Sequence, residues 1–537
     1  MTDRPIWVLQ NLGGWSVNSI VVEGDDGLLV YDTGVSHEQG ELIAAEIKKL
    51  SDKPIRVIVY SHHHADHCQG TDALVTPEQV ESGEVKIYAW SSFSREYEDE
   101  NLVVGPIMGF RAVYQYGAAL PPEELSYTGL GGKFVGGHLG RFIEPTHLID
   151  EETTIEIGGI TCTLFLTGGE ASTEIGMYLP QYRTAVIADE VYVSMPNLYT
   201  LRGAKFRDAM RWGSAGDRVL EWDVDVLLGC HMPPIEGRER IEEVLTTYRD
   251  AIQFNHDQAV RHILAGATPE ELRTGLVELP DYLDIDPFTR EMYGSVANNA
   301  AQQFTGYLGW FSGDSTDLAP TPKPLRAART VELMGGRERV LEAAVEALDA
   351  ADPQWAAELA SMVVSSDVDD VEARELKAAG LRVLGYREQN ALRRNFYLTG
   401  ALELEGKLDV AALSQMAKGT LMSKDAALSA VLQVLRYAVD PAIAVDQQIT
   451  IALEISDNDE HLVLELRNSV LIIHDEPNVE VAATVSLPKS VLVAFVMGSL
   501  GWSGVEAEAA IDGDATLAAG FFEAFDLDPK PVYLHVR

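Results

Sequence analysis

The run Ser61-His62-His63-His64-Ala65-Asp66-His67-Cys68, set directly after the β-branched stretch Ile55-Arg56-Val57-Ile58-Val59-Tyr60, constrains this chain more than any other feature. In H-x-H-x-D-H, two imidazoles two residues apart on an extended backbone point the same way and can hold one ion. The carboxylate of Asp66 and the imidazole of His67 then turn back toward a second ion. Imidazole and carboxylate donors suit zinc better than calcium or magnesium, and the residue types admit iron or manganese as well. His63 lies between the pair and is expected to face away from it. A solvated histidine-rich loop has no need of Asp66 and His67 at this spacing after a strand, so the fold must bring further donors to the end of that strand.

The first half of the chain offers them. Thr161 to Leu166 reads as a strand followed by Thr167-Gly168-Gly169-Glu170, Ala185 to Ala188 as a strand followed by Asp189-Glu190, and Val224 to Leu228 as a strand followed by Gly229-Cys230-His231. With the strands Ile20-Val21-Val22 and Leu28-Leu29-Val30-Tyr31 and a helical pattern over Glu38 to Leu50, residues 1 to about 235 read as an α/β domain. From about 238 to 400 the apolar period becomes helical, as in Val340, Leu341, Ala344 and Leu348 and again in Trp355, Leu359 and Met362. Ser312 to Pro324 is the most linker-like stretch within it. After about 405 alternation returns in Ile449, Ile451, Leu453 and Ile455, then Leu462, Leu464 and Leu466, then Val479, Val481, Ala483 and Val485. Apolar helices over Val491 to Leu500 and around Leu517 to Phe525 complete a small α+β domain. Three domains suit 537 residues at roughly 150 residues per domain.

Charge narrows the function. A net charge of −42 repels nucleic-acid phosphates and anionic membrane surfaces, so neither is an expected partner. The N-terminus shows no secretory signal pattern, and Val491 to Gly498 falls far short of the ~18–20 apolar residues a membrane span needs. Cys68, Cys162 and Cys230 are too few for a disulfide framework, which suggests free thiols and a cytoplasmic protein. Against this acidic background Arg202, Lys205, Arg207 and Arg211 place four cations in ten residues. Such a patch suits a tetrahedral oxyanion, because the planar guanidinium donates two parallel hydrogen bonds, and Asn197 and Thr200 could add neutral donors. A solvated basic helix face is the competing reading, and it accounts well for Lys205 and Arg211.

The order of these strand ends, with the early turn Tyr31-Asp32-Thr33-Gly34, resembles the metallo-β-lactamase fold, an αββα sandwich with a two-metal cleft at one edge. Most members of that superfamily place His at the third motif and Asp at the fourth, whereas this chain carries Glu170 and Asp189-Glu190. Glu in both places resembles the zinc-dependent alkylsulfatases, which hydrolyse dodecyl sulfate and related esters. The resemblance extends through Tyr116-Gly117-Ala118-Ala119-Leu120-Pro121, Glu144-Pro145-Thr146 and Asn197-Leu198-Tyr199-Thr200-Leu201-Arg202-Gly203-Ala204. In the helical region Tyr293-Gly294-Ser295-Val296, Tyr307-Leu308-Gly309-Trp310-Phe311, Gly335-Gly336 and Arg394-Asn395-Phe396-Tyr397-Leu398-Thr399-Gly400-Ala401 resemble the family's dimerisation domain. The final alternation, with Gly513-Asp514, resembles its sterol-carrier-like domain.

The resemblance implies a catalytic domain over 1–237, an all-α dimerisation domain over 238–403 and an α+β sterol-carrier-like domain over 404–537. It implies two zinc ions per chain, a homodimer, and hydrolysis of an alkyl sulfate to alcohol and inorganic sulfate. His62, His64 and Glu170 would hold one zinc and Asp66, His67 and His231 the other, with Glu190 reaching both; Asp66 and Glu190 would also serve the chemistry. Asn197, Thr200, Arg202 and Arg207 would bind the sulfate. The family's histidines just before the Asn-Leu-x-Thr-Leu-Arg segment are absent here, where Val191-Tyr192-Val193-Ser194-Met195-Pro196 stands, which leaves Tyr192 or a water to protonate the leaving alcohol. A lactonase or thioesterase on the same fold, or a lipid carrier with a vestigial metal site, are the competing readings. The first does not require paired arginines, and the second does not require a complete ligand set.

Overall fold

The computed structural model describes residues 4–124, 127–131, 140–419, 428–458, 460–474, 479–528 and 530–537. They form two compact units, one of residues 1–97, 111–409 and 533–537, the other of residues 98–110 and 410–532. No helix of the described residues is long and apolar enough to cross a membrane.

The first unit is built on two sheets. β1 (Ile6–Leu9), β2 (Ser19–Glu23), β3 (Leu28–Tyr31), β4 (Ile55–Val59), β5 (Lys86–Trp90) and β6 (His147–Ile149) lie side by side in that order, antiparallel from β1 to β3 and parallel from β3 to β6. β7 (Thr153–Ile157), β8 (Ile160–Leu166), β9 (Ile175–Leu179), β10 (Thr184–Val186), β11 (Val226–Leu228) and β12 (Ile235–Glu236) form the second, where only β10 and β11 run parallel.

The two-residue period of a strand decides what each face covers. Ile20, Val22, Leu29, Tyr31, Val57 and Val59 meet Cys162, Leu164, Ile175, Met177, Val186 and Leu228 between the sheets. The alternate residues Val21, Leu28, Val30, Ile58 and Ile87 pack on Ile43 and Ile47 of the helix His37–Leu50. On the outer face of the second sheet, Phe165, Ala185, Ile187 and Leu227 meet Trp212 and Val219 of helix Ala209–Leu220 and Val244, Leu245 and Tyr248 of helix Arg238–Leu264. Each fully buried large apolar side chain contributes about 1.5–3 kcal/mol, so a one-residue slip in any of these strands would cost several such terms at once. The result is the αββα sandwich that the family resemblance implies.

The rest of the unit is helical. Helices Arg337–Asp349 and Pro353–Ser366 bury Val340, Leu341 and Ala344 against Leu359, Val363 and Val364. Asp352 caps the second by accepting the Trp355 N–H, and Pro353 fills its first turn. The expected linker Ser312 to Pro324 is exposed but holds a short turn, Ser315–Leu318, before a helix begins at Lys323. The C-terminal residues return to this unit because buried Glu403 accepts the backbone N–H groups of Leu534, His535 and Val536.

The second unit holds a mixed sheet. β13 (Gln448–Ile455), β14 (His461–Arg467), β15 (Val470–His474), β16 (Ala483–Leu487) and β17 (Ala510–Gly513) are ordered β15-β14-β13-β16-β17. Ile449, Ile451, Leu453 and Ile455 lie on one buried face with Leu464, Leu466, Val485, Leu492, Phe495 and Phe521. The sequence reading differs here in three ways. Val479 and Val481 precede β16 rather than belonging to it, and β15 and β17 were not foreseen. The apolar helix runs over Lys489–Val496 and stops before Gly498, whose φ of +70° ends it short of Leu500.

Candidate metal centre

The H-x-H-x-D-H turn takes the shape its residues dictate. His64 is extended and caps the four-residue helix Ala65–Cys68, so His62 and His64 share one face while Asp66 and His67 are carried round by the helical turn. His62 Nε2 lies 2.7 Å from His64 Nδ1, and Glu170 Oε2 lies 3.3 Å from that His64 nitrogen and 3.8 Å from His62 Nε2. His62, His64 and Glu170 therefore form one buried group of donors able to hold a metal ion. A second group joins Asp66, His67, Asp189 and His231. Asp189 Oδ2 lies 3.3 Å from His67 Nε2 and 3.2 Å from His231 Nε2, while Asp66 Oδ2 lies 3.6 and 3.4 Å from the same two nitrogens.

The donors are oriented from behind. Asp32, buried at the end of β3, accepts hydrogen bonds from His67 Nδ1 at 2.7 Å, Ser61 Oγ at 2.8 Å, the Ser61 N–H at 2.8 Å and Cys230 Sγ at 3.1 Å. With Nδ1 committed, His67 turns Nε2 toward the second group, where that buried nitrogen has no hydrogen-bond partner. A lone pair buried among two carboxylates and a second imidazole fits a divalent cation, and the donor set fits zinc. His231 Nδ1 is held by Ser16 O at 3.2 Å, and His62 Nδ1 by Ser61 Oγ at 2.9 Å. His63 is turned to Thr173 Oγ1, 2.8 Å away. Burial, with His67 and His64 beside it, pushes His62 well below the ordinary imidazole range. Burial works against the charge on His231, but Asp189 and Asp66 override it and raise the imidazole to about 10.

One expected donor lies elsewhere. Asp189, rather than Glu190, joins the second group. Both follow β10, but Ala188 adopts φ +42°, and the tight turn that results sends the two carboxylates in different directions. Glu190 Oε1 accepts the Gly169 N–H at 2.7 Å, and Glu190 Oε2 is buried without a partner. Burial raises the Glu190 carboxyl to about 7, against the lowering hydrogen bond from the Gly169 N–H. Glu174, which the sequence reading passed over, is fully buried and accepts the Asp189 N–H at 2.7 Å. Only its place four residues after Glu170 hinted at a role.

The candidate anion residues divide. Arg207 is buried, and its Nη1 lies 2.7 Å from both Glu170 Oε1 and Asn197 O, which ties it to the first donor group. Burial opposes its charge, but Glu170 and the Tyr192 hydroxyl raise the guanidinium above its ordinary range. Asn197 is buried, with Nδ2 lacking a hydrogen-bond partner and its N–H donated to the Tyr192 hydroxyl at 2.6 Å. Thr200 Oγ1 and the Arg202 N–H both donate to Gln115 Oε1, at 2.9 and 2.7 Å, while Gln115 Nε2 is a second buried donor without a partner. Gln115 carries no motif, and the sequence reading missed it. Arg202 is half-buried, whereas Lys205, paired with Glu96 at 2.7 Å, and Arg211 are exposed.

The helical region fixes this segment. Asn299 Nδ2 donates to Pro196 O at 2.8 Å, its Oδ1 accepts the Tyr199 N–H at 3.2 Å, and Gly294 lies so close that a Cβ there would sit 2.1 Å from Pro196 O. Gly294 is thus required by contact rather than by conformation.

Three families match in succession along the chain: the metallo-beta-lactamase superfamily over residues 12–231, alkyl sulfatase dimerisation over 268–407 and the alkyl sulfatase C-terminal family over 417–533. A linear primary-alkylsulfatase of a Pseudomonas species is 37% identical over 529 residues, 96% of this chain and all of the relative. An (R)-specific secondary-alkylsulfatase, also from Pseudomonas, is 31% identical over 96% of this chain and 79% of its own length. The alkyl/aryl-sulfatase BDS1 of Saccharomyces cerevisiae is 34% identical over 72% of this chain and 61% of that one. Among solved structures, the stereoselective inverting sec-alkylsulfatase Pisa1 from Pseudomonas superposes with a TM-score of 0.88 at 29% identity, covering 98% of this chain and 84% of that one. With this agreement in sequence and fold, the chain belongs to the alkylsulfatase family of the metallo-β-lactamase superfamily.

Proposed function

We propose that this chain hydrolyses alkyl sulfate esters to alcohol and inorganic sulfate at the two donor groups, each holding a zinc ion. The observation that carries the reading is the buried contact of Arg207 with both Glu170 and the Asn197 carbonyl, which joins the sulfate-binding candidates to the metal-donor candidates. His62, His64 and Glu170 are assigned to one zinc, and Asp66, His67, Asp189 and His231 to the other. Zinc held there supplies Lewis acidity and brings the pKa of water from ~15.7 toward ~7.

The chain's own groups do the rest. Arg207 and Arg202 grip the sulfate oxygens by charge-assisted hydrogen bonds, and the unpartnered Asn197 Nδ2 adds a neutral donor. Thr200 acts through Gln115, which orders the backbone at Arg202. Asp66, half-exposed among buried donors, takes the proton of the attacking water. Tyr192 is fully buried and engaged with Asn197, so it positions that residue and leaves a water to supply the proton that a departing alkoxide oxygen takes to become the alcohol.

The likeness to alkyl sulfatase dimerisation over 268–407 supports a homodimer, two-fold symmetric, which light scattering across a wide concentration range would reveal. Three free, buried cysteines support a reducing, cytoplasmic setting. We assign catalysis to residues 1–237, dimerisation to 238–403 and handling of the alkyl chain to a sterol-carrier-like domain over 404–537.

The test is sulfate release from dodecyl sulfate by the zinc-reconstituted chain. Arg202→Ala should leave metal content unchanged and cost roughly ten- to a hundredfold in kcat/KM, the equivalent of one charge-assisted hydrogen bond at ~1.5–3 kcal/mol. Full activity in both Arg202→Ala and Arg207→Ala would turn the assignment toward a lactonase or thioesterase.

A further inference from the structure

The two turns that carry Glu170 and Asp189 are tied to each other by side chains that belong to neither donor group. Glu174, on the turn after β8, accepts the Asp189 N–H at 2.7 Å. In return Glu190, on the turn after β10, accepts the Gly169 N–H at 2.7 Å, one residue before Glu170. Each turn thus sends a carboxylate across to the backbone of the other. Both carboxylates are buried, Glu174 at 0% and Glu190 at 2% exposure.

Three further observations suit a clamp. Ala188 holds φ +42°, a left-handed conformation that strains a residue with a Cβ and persists only when its surroundings enforce it. The bond from Glu174 to the next N–H, together with the Cys230 N–H on Ala188 O at 2.9 Å, does the enforcing. Gly169 is a glycine for room: a Cβ there would stand 2.0 Å from Glu190 Oε2 and 2.7 Å from Trp212 Cγ. Trp212 Nε1 in turn donates to Glu190 O at 2.9 Å and pins the far turn.

We propose that Glu174 and Glu190 are positioning residues, a reciprocal clamp that sets the separation of the donor pair Glu170 and Asp189 and so couples occupancy of the two metal groups. The inference rests on the assignment of those groups to zinc made above. It gives Glu190 a different task from direct ligation, and it gives Glu174 a task where the sequence assigned none.

The test uses the full-length chain, stripped of metal and titrated with zinc against a chromophoric chelator, with the melting temperature of the metal-free form recorded alongside. Glu174→Ala and Glu190→Ala should each weaken zinc binding at both groups by roughly ten- to a hundredfold, the usual effect of removing an outer support. Glu174→Gln and Glu190→Gln keep an oxygen that can accept the same N–H, and should recover most of the affinity. A purely structural role would instead lower the metal-free melting temperature and leave the affinity of the folded chain untouched. Should an Ala variant fail to fold, Gly169→Ala keeps every carboxylate while displacing Glu190, and the same affinity loss is expected. Wild-type affinity in the Ala variants or in Gly169→Ala, or no recovery in the Gln variants, overturns the clamp. A wild-type chain that binds no zinc overturns the metal assignment and the clamp with it, whereas normal wild-type binding with unaffected variants overturns the clamp alone.

Discussion

The two donor groups are neighbours, with the His62 and His67 rings 4.0 Å apart, yet they are supported by opposite charges. His62, His64 and Glu170 are backed by the Arg207 guanidinium, which shares the Glu170 carboxylate. Asp66, His67, Asp189 and His231 are backed by the Asp32 carboxylate, which faces His67 Nδ1. The first group offers one carboxylate already half-engaged by a cation. The second offers two, with an imidazole made more basic by a third. On the proposed assignment the labour is divided: the second group would grip metal more tightly, while the first would trade grip for a buried positive charge beside the candidate anion-binding segment.

The largest expected effect would break this comparison outright. Asp66→Ala should empty the second group and His64→Ala the first, with activity lost in both, as metal analysis and sulfate release would record. Loss of the same ion in both variants would show that the two groups are not separate sites. Next in size, Asp32→Ala should cost roughly ten- to a hundredfold in zinc affinity at the second group and less at the first. An equal loss at both would erase the asymmetry.

Arg207→Ala sharpens the comparison from the other side. It removes the sulfate's proposed partner and leaves Glu170 without its ion pair, and breaking such a buried pair costs ~3–5 kcal/mol of stability. Activity should fall by at least as much as in Arg202→Ala, while zinc affinity at the first group rises or holds because Glu170 is freed. Arg207→Lys should rescue only in part, since an ammonium cannot reproduce the planar fork. The smallest effect belongs to exposed Arg211, whose replacement by Ala should change neither metal binding nor turnover by more than about twofold.

What the sequence could reveal followed from local spacing. H-x-H-x-D-H carries its own geometry, because an extended backbone alternates its side chains and His64, itself extended, opens the helix Ala65–Cys68. The strand ends were legible through β-branched runs, and Glu170 and His231 come directly after such runs. The choice between Asp189 and Glu190 was not legible, since it turns on the left-handed Ala188, and nothing in an alanine announces φ +42°. Gln115 and Glu174 were hidden for a related reason: each acts through a backbone N–H distant in sequence. In the second unit, the alternation through Val479 and Val481 imitated a strand beyond its true start at Ala483, because the two-residue pattern alone marks no first pairing partner.

The most direct test of the account is a single titration in which the metal-free, full-length chain receives zinc in steps while bound zinc and sulfate released from dodecyl sulfate are both read. The account predicts two zinc ions per chain, the tighter one lost in Asp66→Ala, with sulfate release appearing as the weaker one binds. Full sulfate release from the chain without bound metal, or none with both ions bound, would contradict it.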